Sequence, residues 1–392
     1  MPDNLNGFLN RELHKAYLDT RAGKRKTRDE HLFELNDIEN ILLLSKDIQE
    51  RTYKPSPSRA FVIHDPVARE IFAAPFRDRV VHRFIYNQVA PWWDKRFIED
   101  SYSCRKGKGT LYSQKRFQYH ARSVSDNYHT EIFAAKLDIK NYFASLDRKR
   151  LYQRAIWGLD RQFGDYQTDL YWTLRFLWEV VIFDDPTKNV KIVGSKRDWQ
   201  ALPREKSLFN QSRGRGIVIG NLTSQLLSNI YLDQLDRYVK FELGHKHYGR
   251  YVDDFYILVK MNEKQQLLSD IKKIDFFLSG LGLTLHPNKR TLTNLRNGVN
   301  FTGSTMFPGY IIPGKRVRKN AKRAFRNFAA GNAELESVVS YLGYMQHVNS
   351  KKFLAAVFDS LGWDFGPKNR TAAAKGPDSA TQRTDCASAR SS

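Results

Sequence analysis

Two β-rich runs joined by an acidic pair constrain the fold of this chain more than any other feature. Only Asp253 and Asp254 separate the runs HYGRYV and FYILVK. Aromatic and β-branched residues on both sides of so short a connection predict a β-hairpin. Like charges at a tight turn repel each other, so the tip of this hairpin is expected to concentrate negative charge.

A third aspartate lies near the end of a predicted buried strand. The segment IFAAKLDI, residues 132 to 139, is almost continuously apolar and contains Asp138, and a carboxylate in such a strand needs a partner or a ligand. Next to the hairpin, it would complete a set of hard oxygen donors suited to Mg²⁺ and to phosphoryl transfer. Each motif alone also fits a structural role, because Asp is common in turns and at helix N-caps.

The other patterns predict a mixed α/β chain. FVIHD reads as a strand, and apolar spacing predicts a helix from Phe76 that Pro91 ends, a long helix within 223–243 and another over 263–281. Strand-like runs with Gly and Pro follow in LTLHPNKRTL and VNFTGSTMFPGYIIP. The tail 366–392 is rich in Ala, Ser, Thr, Gly and charge, which predicts disorder.

The charge of the chain predicts a polyanionic partner. Its 64 Lys and Arg against 42 Asp and Glu give a net charge of +22, and basic side chains displace counterions from phosphates. Membrane binding is not expected, because the N-terminal MPDNLNGF has no lipidation signal or basic amphipathic helix and no apolar run is long enough to span. Cys104 and Cys386 alone make no disulfide framework or cysteine-rich zinc site. A cytoplasmic location is expected.

The string YVDD at Tyr251–Asp254 resembles the signature of reverse transcriptases, and other motifs of that family appear in the family's order. These motifs are AREIFAAPFRDRVVH (68–82), EDSYSCRKGKGT (99–110), KLDIKNYFASLD (136–147), GIVIGNLTSQ (216–225), LHPNKRTL (285–292) and VNFTGSTMF (299–307). The chain is thereby identified as resembling a prokaryotic reverse transcriptase.

The resemblance implies a right-hand polymerase of the α/β (α+β) class. Fingers and palm would combine an antiparallel sheet with helices, and the thumb would be α-helical. The expected divisions are a basic N-terminal extension at 1–60, fingers and palm at 61–310, a helical thumb at 311–365 and a disordered tail at 366–392. No ribonuclease H, integrase, or separate DNA-binding and endonuclease domain is expected.

The resemblance also implies the catalytic and metal-binding residues. Asp138, Asp253 and Asp254 would be catalytic and, with the carbonyl of Ile139, would bind two Mg²⁺ ions, for which Mn²⁺ could substitute. Residues implied to contact the nucleotide are Arg69, Arg77, Phe143, Ile219, Gly220, Gln225 and Lys289. Residues implied to contact nucleic acid are Arg105, Lys106, Lys108, Tyr251, Lys315, Arg316, Arg318, Lys319, Lys322 and Arg323.

Several of these side chains have a structural alternative. Arg69 suits bidentate contact with a triphosphate, but it also suits a surface ion pair. Arg77 and Arg79 are weaker candidates, since either could cap or salt-bridge a helix. Lys289 matches a lysine proposed to protonate pyrophosphate, and a solvated loop lysine would look the same. The basic stretch Lys315–Phe328 suits phosphate contacts in a thumb, or a solvated helix face.

Phe143 and the motif that begins at Ile219 narrow the nucleotide substrate and the group of reverse transcriptases that the resemblance implies. Phe143 matches an aromatic gate that clashes with a ribose 2′-hydroxyl and so favours deoxynucleotides; a plain core position is the alternative. Most reverse transcriptases have Gln-Gly-x-x-x-Ser-Pro in the next palm motif, whereas this chain has IGNLTSQ. That variant, like SYLGYMQHVNS at 340–350, resembles the enzymes of diversity-generating retroelements, which misincorporate opposite template adenine. At Ile219 the loss of an amide would relax control of base pairing, unless the side chain is only an apolar contact.

The implied partners are an RNA template, the RNA–DNA hybrid, dNTPs and a small basic accessory protein. Other prokaryotic reverse transcriptases, such as phage-defence or group II intron-like enzymes, remain an alternative. A non-catalytic nucleic-acid-binding protein is a further alternative, which the three aspartates disfavour.

Overall fold

The computed structural model describes residues 5–22, 27–64 and 67–363. The predicted disordered tail and part of the basic run from Arg21 to Arg28 lie outside the described residues. Up to residue 200 the elements are α1 Leu5–Arg21, α2 Arg28–Glu34, α3 Asp37–Gln49, β1 Ser58–Ile63, β2 Arg69–Ala73, α4 Phe76–Arg96, α5 Thr110–Val124, β3 Ile132–Asp138, α6 Tyr142–Ser145, α7 Arg148–Phe163, α8 Asp169–Phe183, β4 Val190–Ile192 and α9 Lys196–Gln200.

The remaining elements begin with the long helix that sequence predicted after residue 220. They are α10 Leu222–Arg237, β5 Tyr248–Tyr251, β6 Asp254–Lys260, α11 Lys264–Gly280, β7 Thr291–Asn294, β8 Val299–Phe301, β9 Ser304–Phe307, β10 Tyr310–Pro313, α12 Lys315–Ala329, α13 Leu335–Met345 and α14 Lys351–Asp359. A π-helical turn, Tyr238–Glu242, continues α10.

The strands form three small sheets within the described residues. One has the order β5-β6-β3-β7, with β3 antiparallel to β7. A second has the order β2-β1-β4, where β1 is antiparallel to β2 and parallel to β4. The third is the antiparallel meander β8-β9-β10. The predicted mixed α/β class with antiparallel sheet and many helices is confirmed.

The chain divides into two compact units. One unit comprises residues 1–106, 137–255 and 265–290, and the other comprises 107–136, 256–264 and 291–392, as far as they are described. Strands β3 and β6 each continue from one unit into the other. The domain boundaries expected at residues 60 and 310 stay a prediction.

Helix α4 forms much of the core of the first unit. Helices α1, α7 and α10 all pack against it, and Val80, Val81, Phe84 and Ile85 are fully buried. Apolar side chains at i, i+3 and i+4 spacing put one face of such a helix into the core. This packing positions the N-terminus of α10, which follows the IGNL motif.

The end of α4 corrects a prediction from sequence. The helix continues through Pro91 to Arg96 instead of ending at the proline. A proline inside a helix removes one backbone hydrogen bond and crowds the preceding turn. Val89 and Trp93, on either side of Pro91, are fully buried, and their packing offsets that cost.

The second unit contains the basic helix that sequence predicted from Lys315. Its α12, α13 and α14 share a core that includes Ala321, Phe325, Val338, Met345 and Phe358. The basic side chains of α12 alternate with these apolar positions, so the helix buries one face and exposes the other. Over the described residues, no helix is long and apolar enough to cross a membrane.

Candidate active site

The turn of the β5–β6 hairpin consists of Val252 and Asp253. The sequence predicted Asp253 and Asp254 at the tip, which is wrong by one residue, because Asp254 is the first residue of β6. Val252 has a φ of 57°, a left-handed conformation that a β-branched side chain rarely adopts. Such strain costs about 1–3 kcal/mol and persists only where surrounding contacts impose it.

Arg250 supplies contacts that hold this turn. Its guanidinium is fully buried and donates to the Val252 carbonyl over 2.9 Å. The same group makes a bidentate ion pair with Asp236 of α10, at 2.7 Å from Nε and 2.6 Å from Nη2. It also donates to Oδ1 of Asn229 and to Oγ of Ser101. The strained turn is therefore anchored to α10 through one side chain.

Backbone hydrogen bonds bring Asp138 to the hairpin. The N–H of Ile139 donates to the carbonyl of Asp253 over 3.1 Å, so the end of β3 lies directly beside the turn. On the other side, the N–H of His286 donates to the carbonyl of Asp138 over 2.7 Å. The two sequence motifs that contain the aspartates are thus neighbours in space. Their separation in the sequence alone could not establish this.

The three carboxylates interact electrostatically. Burial, followed by the charges of Asp138 and Asp254, raises the pKa of Asp253 to about 6. The Nζ of Lys289 lies 3.1 and 3.2 Å from the two carboxylate oxygens of Asp138, and this charge works in the opposite direction on Asp253. Asp138 is nearly enclosed, whereas Lys289 is half exposed. One lysine therefore faces an excess of carboxylate charge.

The donor chemistry of this cluster fits a hard divalent cation. Carboxylate and carbonyl oxygens are the ligands that Mg²⁺ takes, and added positive charge would stabilise the carboxylates that lie close to one another here. In the described part of the chain, no group of three or more His, Cys, Asp or Glu side chains is already arranged as a metal site. Lys289 occupies both oxygens of Asp138, so a cation there would compete with it.

A second group of candidate residues surrounds the IGNLTSQ loop. The N–H of Phe72 in β2 donates to the carbonyl of Ile219 over 3.0 Å, which joins this loop to the strand that begins with Arg69. Gly220 has a φ of 134°, and a Cβ there would approach the Phe72 carbonyl oxygen to 2.6 Å. Glycine is required for this contact. Gln225 is exposed in the first turn of α10.

Phe143 lies on the other side of the same loop. It is partly buried in α6, and its carbonyl accepts the N–H of Ile217 over 2.9 Å. Its ring packs edge-on against buried Tyr142. The loop that contains Ile219 is therefore hydrogen-bonded on one side to α6 and on the other to β2.

Comparison with known protein families decides the family. The sequence profile of the family "Reverse transcriptase (RNA-dependent DNA polymerase)" matches residues 68–344, well over half of the chain. The chain belongs to the reverse transcriptase family. The match spans both acidic motifs, the IGNLTSQ loop and Lys289.

Comparison with solved structures finds telomerases. The telomerase of Candida albicans, in complex with a TWJ fragment of telomeric RNA, is 12% identical with a TM-score of 0.47, covering 80% of this chain and 57% of that chain. The apo telomerase of Candida tropicalis is 12% identical with a TM-score of 0.47, covering 81% of this chain and 61% of that chain. Its complex with a TWJ fragment of telomeric RNA is 12% identical with a TM-score of 0.46, covering 79% of this chain and 56% of that chain. The chain thus spans under two thirds of these telomerases. A comparison with curated proteins gave no match.

Two arginines of this reverse transcriptase family member lie in structural contacts. Arg77 pairs with Asp47 over 2.6 Å and with Asp78, and its guanidinium lies over the ring of Tyr53. Arg105 is nearly buried; it pairs with Asp94 and donates to the carbonyls of Ile98 and Ser101. The structural alternative weighed for Arg77 therefore has direct support, and the predicted nucleic-acid contact of Arg105 would have to break these bonds. Arg79 likewise donates to the carbonyl of Ala74, which lies just before the start of α4.

The other predicted nucleic-acid contacts are more accessible. Lys106 is exposed, and Lys108 lies over the ring of Tyr112. Tyr251 is partly exposed at the end of β5. On α12, Lys315, Arg316, Lys319, Lys322 and Arg323 are exposed and Arg318 is partly exposed. Within the described residues, none of the six forms an ion pair with a carboxylate.

Sequence reasoning missed Arg250 and its partners. The only signal was an arginine two residues before the acidic turn in a strand that otherwise reads as buried, because a buried charge needs a partner. The partners Ser101, Asn229 and Asp236 come from distant parts of the chain. Only the folded arrangement identifies them.

Proposed function

We propose that this chain is an RNA-directed DNA polymerase that copies an RNA template into cDNA. The observation that carries the proposal is the Ile139–Asp253 backbone hydrogen bond, which brings Asp138 beside the acidic turn in a member of the reverse transcriptase family. A cluster of acidic oxygens is what nucleotidyl transfer requires of the protein, since most of the catalysis is positioning and charge stabilisation.

Asp138, Asp253, Asp254 and the Ile139 carbonyl would hold two Mg²⁺ ions, with Mn²⁺ as a substitute. When bound, such ions favour attack by the primer hydroxyl and stabilise the departing pyrophosphate. The raised pKa of Asp253 supports this assignment, because burial and then the charges of Asp138 and Asp254 raise it and the charge of Lys289 only partly offsets them. Lys289 would itself lie where it can hold a proton close to the reacting phosphates.

The nucleotide would bind over the IGNLTSQ loop. Arg69 is exposed at the start of β2, the strand bonded to Ile219, and its guanidinium suits the triphosphate. Phe143 supports selection of deoxynucleotides, because a ring beside the sugar excludes a 2′-hydroxyl. Gly220 and Gln225 belong to the same motif and would contact the incoming nucleotide.

The finer role we propose is the adenine-mutagenic enzyme of a diversity-generating retroelement, located in the cytoplasm and acting with a small basic accessory protein. Support comes from Ile219 where an amide is usual, so one fewer hydrogen bond would restrain the pairing geometry. The alternatives are a phage-defence or group II intron-like reverse transcriptase, or a protein that only binds nucleic acid.

Deep sequencing of the DNA product tests both levels of this proposal. The purified chain would copy a balanced-composition RNA in Mg²⁺, with and without candidate accessory protein, and an Asp253→Asn, Asp254→Asn variant would serve as the blank. Errors concentrated opposite template adenine support the retroelement role, and Ile219→Gln should then lower them. Accurate copying would favour the other reverse transcriptases. Absence of any aspartate-dependent product would overturn the polymerase itself.

A further inference from the structure

A cluster of tryptophans and arginines lies where α4 meets α7, apart from the carboxylates. Its members, which we call the Trp–Arg patch, are Trp92, Arg96, Arg154, Trp157 and Arg161. The guanidinium of Arg154 lies 3.9 Å from the ring centroid of Trp157. That of Arg96 lies 4.6 Å from Trp92 and 5.3 Å from Trp157, and Arg161 lies 5.9 Å from Trp157. Two indoles thus carry three guanidinium groups.

Buried residues beside the Trp–Arg patch already account for the packing of α4 against α7. Trp93 is fully buried, and a Cβ on Gly158 of α7 would collide with its ring. In contrast, Trp92 and Trp157 are only partly buried, and Arg96 and Arg161 are exposed. The core contact between α4 and α7 therefore does not explain the outer layer of the patch.

Two arginines of the patch, Arg96 and Arg161, differ from Arg154 in having no acidic partner in the described part of the chain. Arg154 and Arg237 share one oxygen of buried Asp233, at 2.7 and 3.1 Å. Among the residues that the structure describes, Arg96 and Arg161 have no carboxylate partner. A guanidinium that lies over an indole without a carboxylate partner keeps N–H groups free for other acceptors, so both arginines can still donate hydrogen bonds.

The Trp–Arg patch lies well away from the IGNLTSQ loop, where the nucleotide is proposed to bind. Helix α10 begins beside the IGNL loop and ends at Arg237, which contacts both Asp233 and the Arg96 carbonyl. Gln225 and Arg237 are separated by about 18 Å along this helix, at about 1.5 Å per residue. A ligand on the patch would not occupy the place of the incoming nucleotide.

We propose that the Trp–Arg patch binds single-stranded RNA outside the copied segment. Partly exposed aromatic rings provide stacking surfaces for unpaired bases, and unpaired guanidinium groups contact phosphates. Duplex RNA keeps its bases stacked internally and would gain little from the indoles. An acidic protein could neutralise the arginines, but would leave the stacking surfaces without matching groups. The surface would hold a long template while the proposed polymerase site copies another part of it.

Equilibrium binding of a labelled 40-nucleotide unstructured RNA to the full chain tests this inference. Arg96→Gln, Arg161→Gln is compared with Arg197→Gln, Lys272→Gln, which removes two exposed positive charges elsewhere. We expect the patch variant to weaken binding about tenfold and to lower the salt slope by about 1.4, since each lost phosphate contact on a single strand contributes about 0.7. The control should change both values much less. Binding of a short primer–template duplex should stay within about twofold for both variants.

Photocrosslinking from 4-thiouridine in the same RNA provides the second measurement. Crosslinks on peptides that contain Trp92 or Trp157, lost when unlabelled RNA competes, are expected. Equal effects of the two variants, crosslinks confined to other regions, or a change of oligomeric state in the patch variant with unchanged RNA affinity would each overturn the proposal. Binding needs no DNA synthesis, so an inactive wild-type chain would contradict the proposed polymerase activity and leave this result interpretable.

Discussion

At the scale of single residues, Arg250 connects the strained acidic turn to the core. Its bidentate partner Asp236 is fully buried, and Tyr248 donates to the same carboxylate over 2.6 Å. Loss of one partner from such a pair costs about 3–5 kcal/mol, because the other charge stays buried. The contact with the Val252 carbonyl is separate from that pair and positions the turn itself.

The two roles of Arg250 can be separated by mutation. We expect Arg250→Met to lower stability by about 3–5 kcal/mol, and Arg250→Met, Asp236→Asn to regain at least half of that loss because no buried charge remains. Both variants should lose at least about tenfold in kcat, since neither restrains the turn, with KM for dNTP little changed. Urea unfolding and steady-state primer extension measure these quantities. A double variant with wild-type kcat would refute the positioning role.

His82 should make stability depend on pH. Burial lowers its pKa to about 4, and its Nδ1 lies 2.9 Å from Oγ1 of Thr223. The unfolded chain binds a proton near pH 6.5 whereas the folded chain does not, so stability is retained above that pH and lost as the pH falls towards 4. We expect wild type to lose about 2 kcal/mol more than His82→Gln between pH 7 and 5, measured by urea unfolding. Asp78, Arg148 and Asp184 line the same cavity, and the comparison cancels their titration. Equal losses would contradict this assignment.

The sequence was enough to single out the three aspartates of the candidate site, but not the side chains that surround them. Asp138 and the Asp253–Asp254 pair stand out because charged residues interrupt strand patterns. The placement of the turn one residue earlier depends on Val252 adopting φ above zero. Its side chain disfavours that conformation, and the sequence does not show that Arg250 donates to its carbonyl. For Arg77 and Arg105 the sequence shows the charge but not the acidic residue that the fold brings to it, and their contacts with nucleotide and nucleic acid stay predictions.

At the scale of elements, α4 shows how packing overrides a local preference. Proline predicts a helix end, but the helix continues for another turn and carries Trp93 into the core. The helices predicted after residue 220 and the strands within 132–139 and 299–313 followed their sequence patterns closely. The run LTLHPNKRTL, predicted to be strand-like, is mostly turn and irregular structure, and only its last two residues enter β7, because Pro287 and the turn after it interrupt the strand. The sheet order β5-β6-β3-β7 could not be predicted from periodicity, because it depends on pairing between distant segments.

Replacing Pro91 should stabilise the chain. Pro91→Ala restores a backbone donor inside α4 and removes the clash with the preceding turn, against a smaller entropic loss from a freer unfolded chain. We expect a gain of about 1–2 kcal/mol in the free energy of unfolding. Lys95→Ala, in the same helix and exposed, is the control and should change stability by less than about 0.5 kcal/mol. A Pro91→Ala variant that is less stable than wild type would contradict this expectation.

At the scale of the whole molecule, the net charge of +22 is partly concentrated on α12. The helix buries Ala321 and Phe325 and leaves most of its basic side chains exposed without carboxylate partners among the described residues. The fold therefore uses apolar positions to fix a surface suited to phosphates.

Neutralising part of α12 should change how binding responds to salt. For Lys315→Gln, Arg316→Gln, Lys319→Gln we expect the slope of log K against log salt for an RNA–DNA hybrid to fall by about 2 to 3, because each lost duplex phosphate contact contributes about 0.9. A variant with Lys188, Arg197 and Lys272 changed to Gln removes the same charge elsewhere and should alter the slope less. Identical slopes for the two triple variants would contradict a phosphate-binding role for α12.

We propose above all that Asp138, Asp253 and Asp254 act as one catalytic group. The most direct measurement is the single-turnover rate of primer extension on an RNA template in Mg²⁺ for the three single Asp→Asn variants, with exposed Asp359→Asn of α14 as control. Each of the three should lose at least about a thousandfold in rate, roughly 4 kcal/mol of transition-state stabilisation, while hybrid affinity stays within about threefold. The control should extend primers at the wild-type rate. An Asp138, Asp253 or Asp254 variant that keeps more than about a tenth of the wild-type rate would contradict the account.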